Sequence, residues 1–187
     1  MERSTTMSDA AWKQFEREIA RRVGEWWCED GKAFVRTARS GAWPRKKADG
    51  DVVAADERMR LDFPICIDGK HRKGPWDLDK LLTSKKHELL AWWHEMGEID
   101  KVKEGKYRWL IASKRGISDS VLVLGRKEMH WLVERVGNLK ALPRIEFEVG
   151  GVEDPNFETE KLTIVGFLAF LDMVEAEALG GPKHGTS

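Results

Sequence analysis

Hydrophobic positions near the start of the chain recur at three- and four-residue steps: Trp12, Phe15, Ile19, Val23 and Trp26. This spacing predicts an amphipathic helix over about residues 9–28, with Ser8 as its N-cap. Three short apolar segments follow, AFVRTA, DVVAA and RLDFPICIDGK, and each predicts a strand. Between the last two, DERMR predicts a turn.

Helical and strand patterns alternate through the second half of the chain. GPWDLDKLL predicts a helix starting near Trp76, and Ser84 is the expected cap of a helix whose apolar positions are Leu89, Leu90, Trp93 and Met96. EGKYRWLIASKR, DSVLVLG and RIEFEVG predict strands. A helix carrying Met129 and Leu132 is expected to end at Gly137, and TIVGFLAFLDMVEAEAL predicts a closing helix.

This order of elements predicts an α/β or α+β domain with a central mixed β-sheet flanked by helices. We expect a core over residues 9–137 and an acidic β-α extension over 138–180 packed on the same domain. Residues 1–8 and 181–187 are polar and are expected to form loose tails.

Charge is unevenly distributed along a chain of 187 residues whose formal net charge is zero. The segment from Arg36 to Lys73 holds ten Lys or Arg and six Asp or Glu, whereas Glu146 to Glu177 holds nine acids and one Lys. A basic middle and an acidic end favour a positive face on a neutral protein, and two solvated faces of opposite sign are the alternative.

The cysteine content and the absence of long apolar segments bear on location. Cys28 and Cys66 show no pairing pattern, which is typical of free thiols in a reducing cytoplasm. The N-terminus has no signal-peptide core, and no apolar segment has the length of a membrane span. We therefore expect a cytoplasmic protein, in the bacterial host cell if it is phage-encoded, and no membrane partner.

Candidate chemistry begins at the end of the third predicted strand. Asp68 and Lys70 are two residues apart and so project from the same face of a strand. Asp51 heads the preceding strand, and Glu16 lies beside the apolar stripe of the first helix. Three carboxylates and one amine on these elements suit hard-cation binding and phosphodiester hydrolysis, with Mg²⁺ as the expected cofactor and Mn²⁺ as a substitute.

These residues stand in motifs that resemble a known superfamily. Glu16 in FERE, Arg36 in VRTARSGA, Asp51 in GDVV and the segment IDGKHRKG resemble the motifs of the PD-(D/E)xK nucleases. Within that superfamily they look most like the Holliday junction resolvases of the archaeal Hjc type and their phage relatives. The resemblance covers roughly residues 12–125. Asp68 is one methylene shorter than the Glu that those resolvases usually carry.

The resemblance implies a restriction-endonuclease-like core and a role for each matched residue. Glu16, Asp51 and Asp68 would bind the metal together with the Gly69 carbonyl, and Lys70 would act on the attacking water or the developing negative charge. The products would be a 5′-phosphate and a 3′-hydroxyl. The expected DNA contacts, from the matched motifs and the basic loops, are Arg17, Arg36, Arg39, Ser40, Arg45, Lys46, Lys47, Arg72 and Lys73.

A four-way junction resolvase makes two matched cuts, which predicts a homodimer acting on branched DNA in recombination or repair. The helix of Leu89, Trp93 and Met96 offers an apolar dimer surface. Two alternatives stay open: a repair or restriction-like endonuclease acting on other DNA structures, and a catalytically weakened DNA-binding protein with the same fold.

Ordinary structural roles compete with the catalytic interpretation at each position. Glu16 fits a solvated helix residue beside Lys13, and Asp51 fits a turn carboxylate after Gly50. Lys70 to Lys73 fit a solvated charge run. The occurrence of all the motifs together and in order is what favours nuclease chemistry.

Overall fold

A seven-stranded mixed sheet forms the centre of the protein, as seen in a computed structural model that describes residues 6–37, 49–71, 88–113, 117–137, 139–149 and 160–183. The strands are β1 Phe34–Arg36, β2 Val52–Ala54, β3 Ile65–His71, β4 Tyr107–Ser113, β5 Val121–Gly125, β6 Arg144–Val149 and β7 Glu160–Gly166. Their order in the sheet is β1-β2-β3-β4-β5-β7-β6. Only β3 and β4 pair in parallel, and the other neighbours are antiparallel.

Helices cover both faces of this sheet. Those within the described residues are α1 Thr6–Cys28, α2 Glu57–Asp62, α3 Glu88–Gly97, α4 Asp100–Lys103, α5 Arg126–Val136 and α6 Phe167–Met173. Two single-turn 3₁₀ helices span Ile117–Asp119 and Ala176–Leu179. The architecture confirms the predicted α/β class with a central mixed sheet.

The hydrophobic core consists of two layers separated by the sheet. On one face, Phe15, Ile19 and Val23 of α1 pack with Ile67 and Trp109, and α5 and α6 extend this layer. On the other face, α3 packs against Cys66 of β3, Leu110 of β4 and Val123 of β5. Neighbouring residues of β3 therefore face different layers, as strand alternation requires.

Two sequence predictions about local structure are wrong at the ends of elements. Helix α1 begins at Thr6, so Ser8 lies inside the helix and is not its N-cap. The DERMR segment is not a turn but the start of α2, because the Asp56 side chain accepts a hydrogen bond from the Met59 amide at 2.8 Å and caps a helix. Strand β3 consequently starts later than expected, at Ile65.

The closing helix predicted over TIVGFLAFLDMVEAEAL is confirmed only over Phe167–Met173, and its first residues are wrong. The β-branched run Thr163–Val165 lies in β7, between β5 and β6, and α6 begins only after Gly166. A fully apolar stretch does not distinguish a buried strand from a buried helix by periodicity, which explains the error.

The helix of Leu89, Trp93 and Met96 forms as predicted, but its apolar face does not form a dimer surface. All three side chains are buried within the monomer, against the sheet. The predicted helix near Trp76 and the cap at Ser84 lie outside the described residues. Of the helices that the structure describes, none is long and apolar enough to cross a membrane.

Candidate active site

Gly69 of β3 is the point at which the predicted site residues meet. Its amide donates a hydrogen bond to Oδ2 of Asp51 at 3.2 Å. A Cβ built on Gly69 would lie 3.5 Å from Cγ of Glu16, so helix α1 passes directly over this residue. Asp68 and Lys70 flank Gly69 in the strand and by alternation face the α3 side, whereas Gly69 faces Glu16 on the α1 side; all four charged side chains are buried.

Asp51 is held at the head of β2 by a close approach of two backbones. Its amide donates to the Ile67 carbonyl at 2.8 Å, and its carbonyl accepts from the Thr37 amide at 2.9 Å. At the preceding Gly50, a Cβ would lie only 2.0 Å from the Ile67 carbonyl oxygen. Glycine is therefore required at position 50 for Asp51 to reach β3. This pairing brings Asp51 beside β3.

Lys70 lies between two carboxylates on the α3 side of the sheet. Its Nζ is 3.1 Å from Oδ2 of Asp68 and 3.3 Å from Oε2 of Glu95. Lys70 is only 6 % exposed, which excludes the alternative of a solvated charge run at this residue. Glu95 is exposed on α3, so the ammonium connects a buried carboxylate to one at the surface.

Glu16 is fully buried and forms an ion pair with Arg36 of β1. Its other oxygen accepts a hydrogen bond from the indole N–H of Trp12, one turn earlier in α1. The Trp12 ring centroid lies 6.0 Å from Nζ of Lys70. Glu16 is therefore not the solvated helix residue of the alternative interpretation, and Trp12 lies between it and Lys70.

The electrostatic character of this region is visible at Cys66, two residues before Asp68. Burial raises the pKa of the Cys66 thiol to about 12, and the negative charge of Asp68 raises it further. Cys66 is thus a protonated, buried thiol at neutral pH and packs as a small apolar residue. Neither Cys28 nor Cys66 forms a disulfide, as predicted.

A hard divalent cation fits the donor chemistry of these residues. Asp51, which accepts a hydrogen bond from the Gly69 amide, and Asp68, which precedes Gly69 in β3, supply buried carboxylate oxygens, the ligands that Mg²⁺ and Mn²⁺ prefer. In the described part of the chain, however, no three His, Cys, Asp or Glu side chains are grouped closely enough to hold one metal ion. Here Arg36 contacts Glu16, and Lys70 contacts Asp68.

The predicted DNA-contacting residues divide into two groups. Arg17 is exposed on α1, and Arg36 turns inward to Glu16. The others, which the sequence placed on basic loops, lie outside the described residues: Arg39, Ser40, Arg45, Lys46, Lys47, Arg72 and Lys73.

Two residues at the site had not been singled out from the sequence. Glu95 is an exposed residue of α3 between the buried Trp93 and Met96, and nothing in its local sequence distinguishes it from other surface acids. Trp12 was assigned only to the apolar stripe. Because Trp can donate a hydrogen bond, its position one helical turn before Glu16 was the available signal.

Comparison with protein families gives one match, which covers most of the chain. The family model described as "Phage putative PDDEXK endonuclease" matches residues 12–179. No curated protein and no solved structure gives a significant match. The match includes every described residue that meets at Gly69, and the mixed sheet flanked by helices is consistent with a restriction-endonuclease-like fold.

Proposed function

The chain belongs to the phage putative PDDEXK endonuclease family, and on that basis we propose that it is a metal-dependent endonuclease that resolves four-way DNA junctions by paired symmetric nicks. Membership identifies a nuclease of the hydrolase class acting on DNA. The metal, the branched substrate and the paired cuts are the finer parts of the proposal. The resemblance of Glu16, Arg36, Asp51 and IDGKHRKG to junction resolvases supports them.

The observation that carries the proposal is the convergence on Gly69. Carboxylates from α1, β2 and β3 and the ammonium of Lys70 are buried around one backbone position, although they are far apart in sequence. Burying several ionisable groups together is costly, and such clusters concentrate at functional sites. A purely structural ion pair does not need side chains from so many elements.

Each residue of the cluster has a role in hydrolysis of a phosphodiester. Asp51 and Asp68, with the Gly69 carbonyl and Glu16, would hold a divalent cation, which lowers the pKa of water and neutralises the phosphate when bound. Lys70 places a positive charge where negative charge develops, and Glu95 holds its ammonium from the side opposite Asp68. Water oxygen bonds to phosphorus and the P–O3′ bond breaks, leaving a 5′-phosphate and a 3′-hydroxyl.

Selectivity for a junction requires two sites at a fixed separation. We propose a two-fold symmetric homodimer, because a junction needs two matched cuts and two copies supply two equivalent sites. The interface uses a surface other than Leu89, Trp93 and Met96, which are buried in the monomer. DNA shape, read through phosphate contacts such as exposed Arg17, is the expected basis of recognition.

Incubation with Mg²⁺ or Mn²⁺ and matched DNA substrates tests the proposal. We expect paired symmetric nicks in a four-way junction and no cleavage of a linear duplex of the same arm sequence. Cleavage of the linear duplex would replace junction resolution with a repair or restriction-like activity. Junction binding without cleavage in either metal would identify a catalytically weakened DNA-binding protein.

A further inference from the structure

A cleft lined by both charged and apolar side chains lies where β3 and β4 begin. This cleft has a volume of about 520 Å³ and lies between α2, the segment entering β3, and the turn between α4 and β4. A narrow recess continues from it to Gly50 and Cys66. Cys66 is two residues before Asp68 on the same face of β3, so the recess ends roughly 7 Å along the strand from that carboxylate.

Arg60 presents a buried donor in this cleft. Its Nε–H is shielded from solvent and has no hydrogen-bond partner within the described residues. Asp49 and Glu57 line the same cleft, yet neither forms an ion pair with Arg60 in that part of the chain. A buried guanidinium N–H without an acceptor is costly, and such a group in a native protein indicates an acceptor that is not part of the chain.

Lys106 provides a second cation at the same place. Its Nζ donates to the Arg60 carbonyl at 2.7 Å, and the negative charge of Asp49, which lines the same cleft, acts on it. Burial lowers the pKa of Lys106, because its ammonium is partly removed from water. Lys101 also lines the cleft but is engaged by Glu104 at 2.6 Å. Two cations with unused donors therefore face one cavity.

We propose that Arg60 and Lys106 form a phosphate-binding subsite for the DNA strand that is cut. The inference rests on the proposed function, which places the scissile phosphate at Asp51 and Asp68. The ligand must accept hydrogen bonds and carry negative charge, since the unused groups are donors and both are cations. The backbone next to a scissile phosphate offers this chemistry at the required side of β3, and the subsite fixes the register of the strand without reading its bases.

The test is the salt dependence of DNA binding by the full chain without metal, so that no cleavage occurs. Arg60→Gln, Lys106→Gln and the double variant are compared with Arg58→Gln, an exposed arginine of the same helix that does not line the cleft. Affinity for a labelled junction is measured between about 50 and 200 mM salt. We expect the slope of log K against log salt to fall by roughly 0.7–0.9 in each cleft variant, and by more in the double variant.

The expected result for Arg58→Gln is a smaller change in slope, because an exposed charge acts only at long range. The subsite is overturned if the cleft variants show the same salt-dependence slope as Arg58→Gln and their thermal unfolding midpoints are unchanged. A different result would assign the subsite to a free anion rather than to DNA. In that result, inorganic phosphate raises the thermal unfolding midpoint of the wild type but not of the double variant, and the salt-dependence slopes of DNA binding are unaltered.

This outcome is separable from that of the proposed function. If the wild type binds no DNA at all, or if the Asp51→Asn variant cleaves DNA normally, the proposed nuclease site is refuted. If the wild type binds and cleaves junctions but the cleft variants behave like Arg58→Gln, only the subsite is refuted.

Discussion

Two of the regions in which the described residues bury charge are built differently. At Gly69, charged side chains arrive from α1, β1, β2, β3 and α3, and the exposed Glu95 connects the cluster to the surface. At the other end of the β3–β4 pair, Glu128 of α5 accepts from the Arg108 amide at 3.0 Å and lies 3.5 Å from Arg108 Nε. The Arg108 guanidinium lies 3.8 Å from the centroid of the Trp93 ring.

The difference separates a structural ion pair from a candidate catalytic one. Arg108 and Glu128 are one cation and one carboxylate, closed off by an aromatic ring, and they fasten α5 and α3 to β4. The Gly69 cluster contains three carboxylates on separate elements, which a fold does not need for fastening. The proposed site rests on carboxylates that approach one strand from separate elements, rather than on burial of charge alone.

Asp51→Asn breaks the Gly69 cluster most severely. We expect cleavage to fall by about 10³-fold or more, because a ligand charge is lost, while junction binding persists because the basic surface is unchanged. Single-turnover cleavage and anisotropy measure the two effects. Asp62→Asn, at an exposed acid of α2, is the control, and normal cleavage by Asp51→Asn contradicts the assignment.

Lys70→Ala removes the charge that lies between Asp68 and Glu95. The expected effect is a loss of roughly 10²–10³-fold in single-turnover rate with a much smaller loss of affinity, since the ammonium acts on developing charge. The rate and a gel-shift titration are compared in the same preparation. A weaker affinity at an unaltered rate is the result that rules out this role.

Arg108→Met addresses the other region. It leaves the buried Glu128 carboxylate without its cation and is expected to lower the free energy of unfolding by about 3 kcal/mol. Cleavage per folded molecule should not change, because Arg108 does not reach the Gly69 cluster. Urea unfolding and active-site titration measure both quantities, with exposed Arg135→Met of α5 as the control. If fully folded Arg108→Met protein cleaves DNA much more slowly than the wild type, the Arg108–Glu128 pair is not purely structural.

Glu95→Gln sharpens the comparison by removing only the surface end of the Gly69 cluster. Its pair with Lys70 is partly solvated, so we expect a decrease of about two- to fivefold in cleavage rate and no change in DNA affinity. Glu98→Gln is the matched control, because Glu98 is an exposed acid just after the same helix and pairs with Lys103. Equal rates for the two variants would leave Glu95 without a role.

Exposed ion pairs should give the smallest effect. Hydrogen bonds from Lys161 and Arg144 lower the pKa of Glu146 below its ordinary value. The resulting stabilisation is complete above the ordinary pKa of a carboxyl and is lost as pH falls through the lowered one. It is worth only a few tenths of a kcal/mol on this solvated strand. Urea unfolding of wild type and Glu146→Gln should differ slightly at pH 7 and converge in acid.

The sequence was sufficient where local pattern and chemistry agree. The stripe of Phe15, Ile19 and Val23 predicted α1, and the two-residue spacing of Asp68 and Lys70 predicted their shared face. The pairing of β2 with β3, which brings Asp51 beside Gly69, was not established by the sequence.

The remaining features depend on contacts between distant residues. The apolar run of strand β7 continues directly into α6, and its pairing with β5 and β6 fixes where the strand ends and the helix begins. Glu95 lies 25 positions from Lys70, and Arg60 faces Lys106 across the sheet edge, so no local pattern joins them. The Gly69 cluster could be anticipated through motifs, whereas the cleft could not.

Strand β7 also constrains how the nascent chain folds. Because β7 lies between β5 and β6, a ribosome that has reached residue 150 has produced an inner strand, β5, with one open edge. Phe167 and Phe170 of α6, which fill the larger core, are synthesised later still. A truncation that removes residues 150–187 therefore leaves β5 and β6 without the strand that lies between them, and the sheet is completed only after Gly166 has been synthesised.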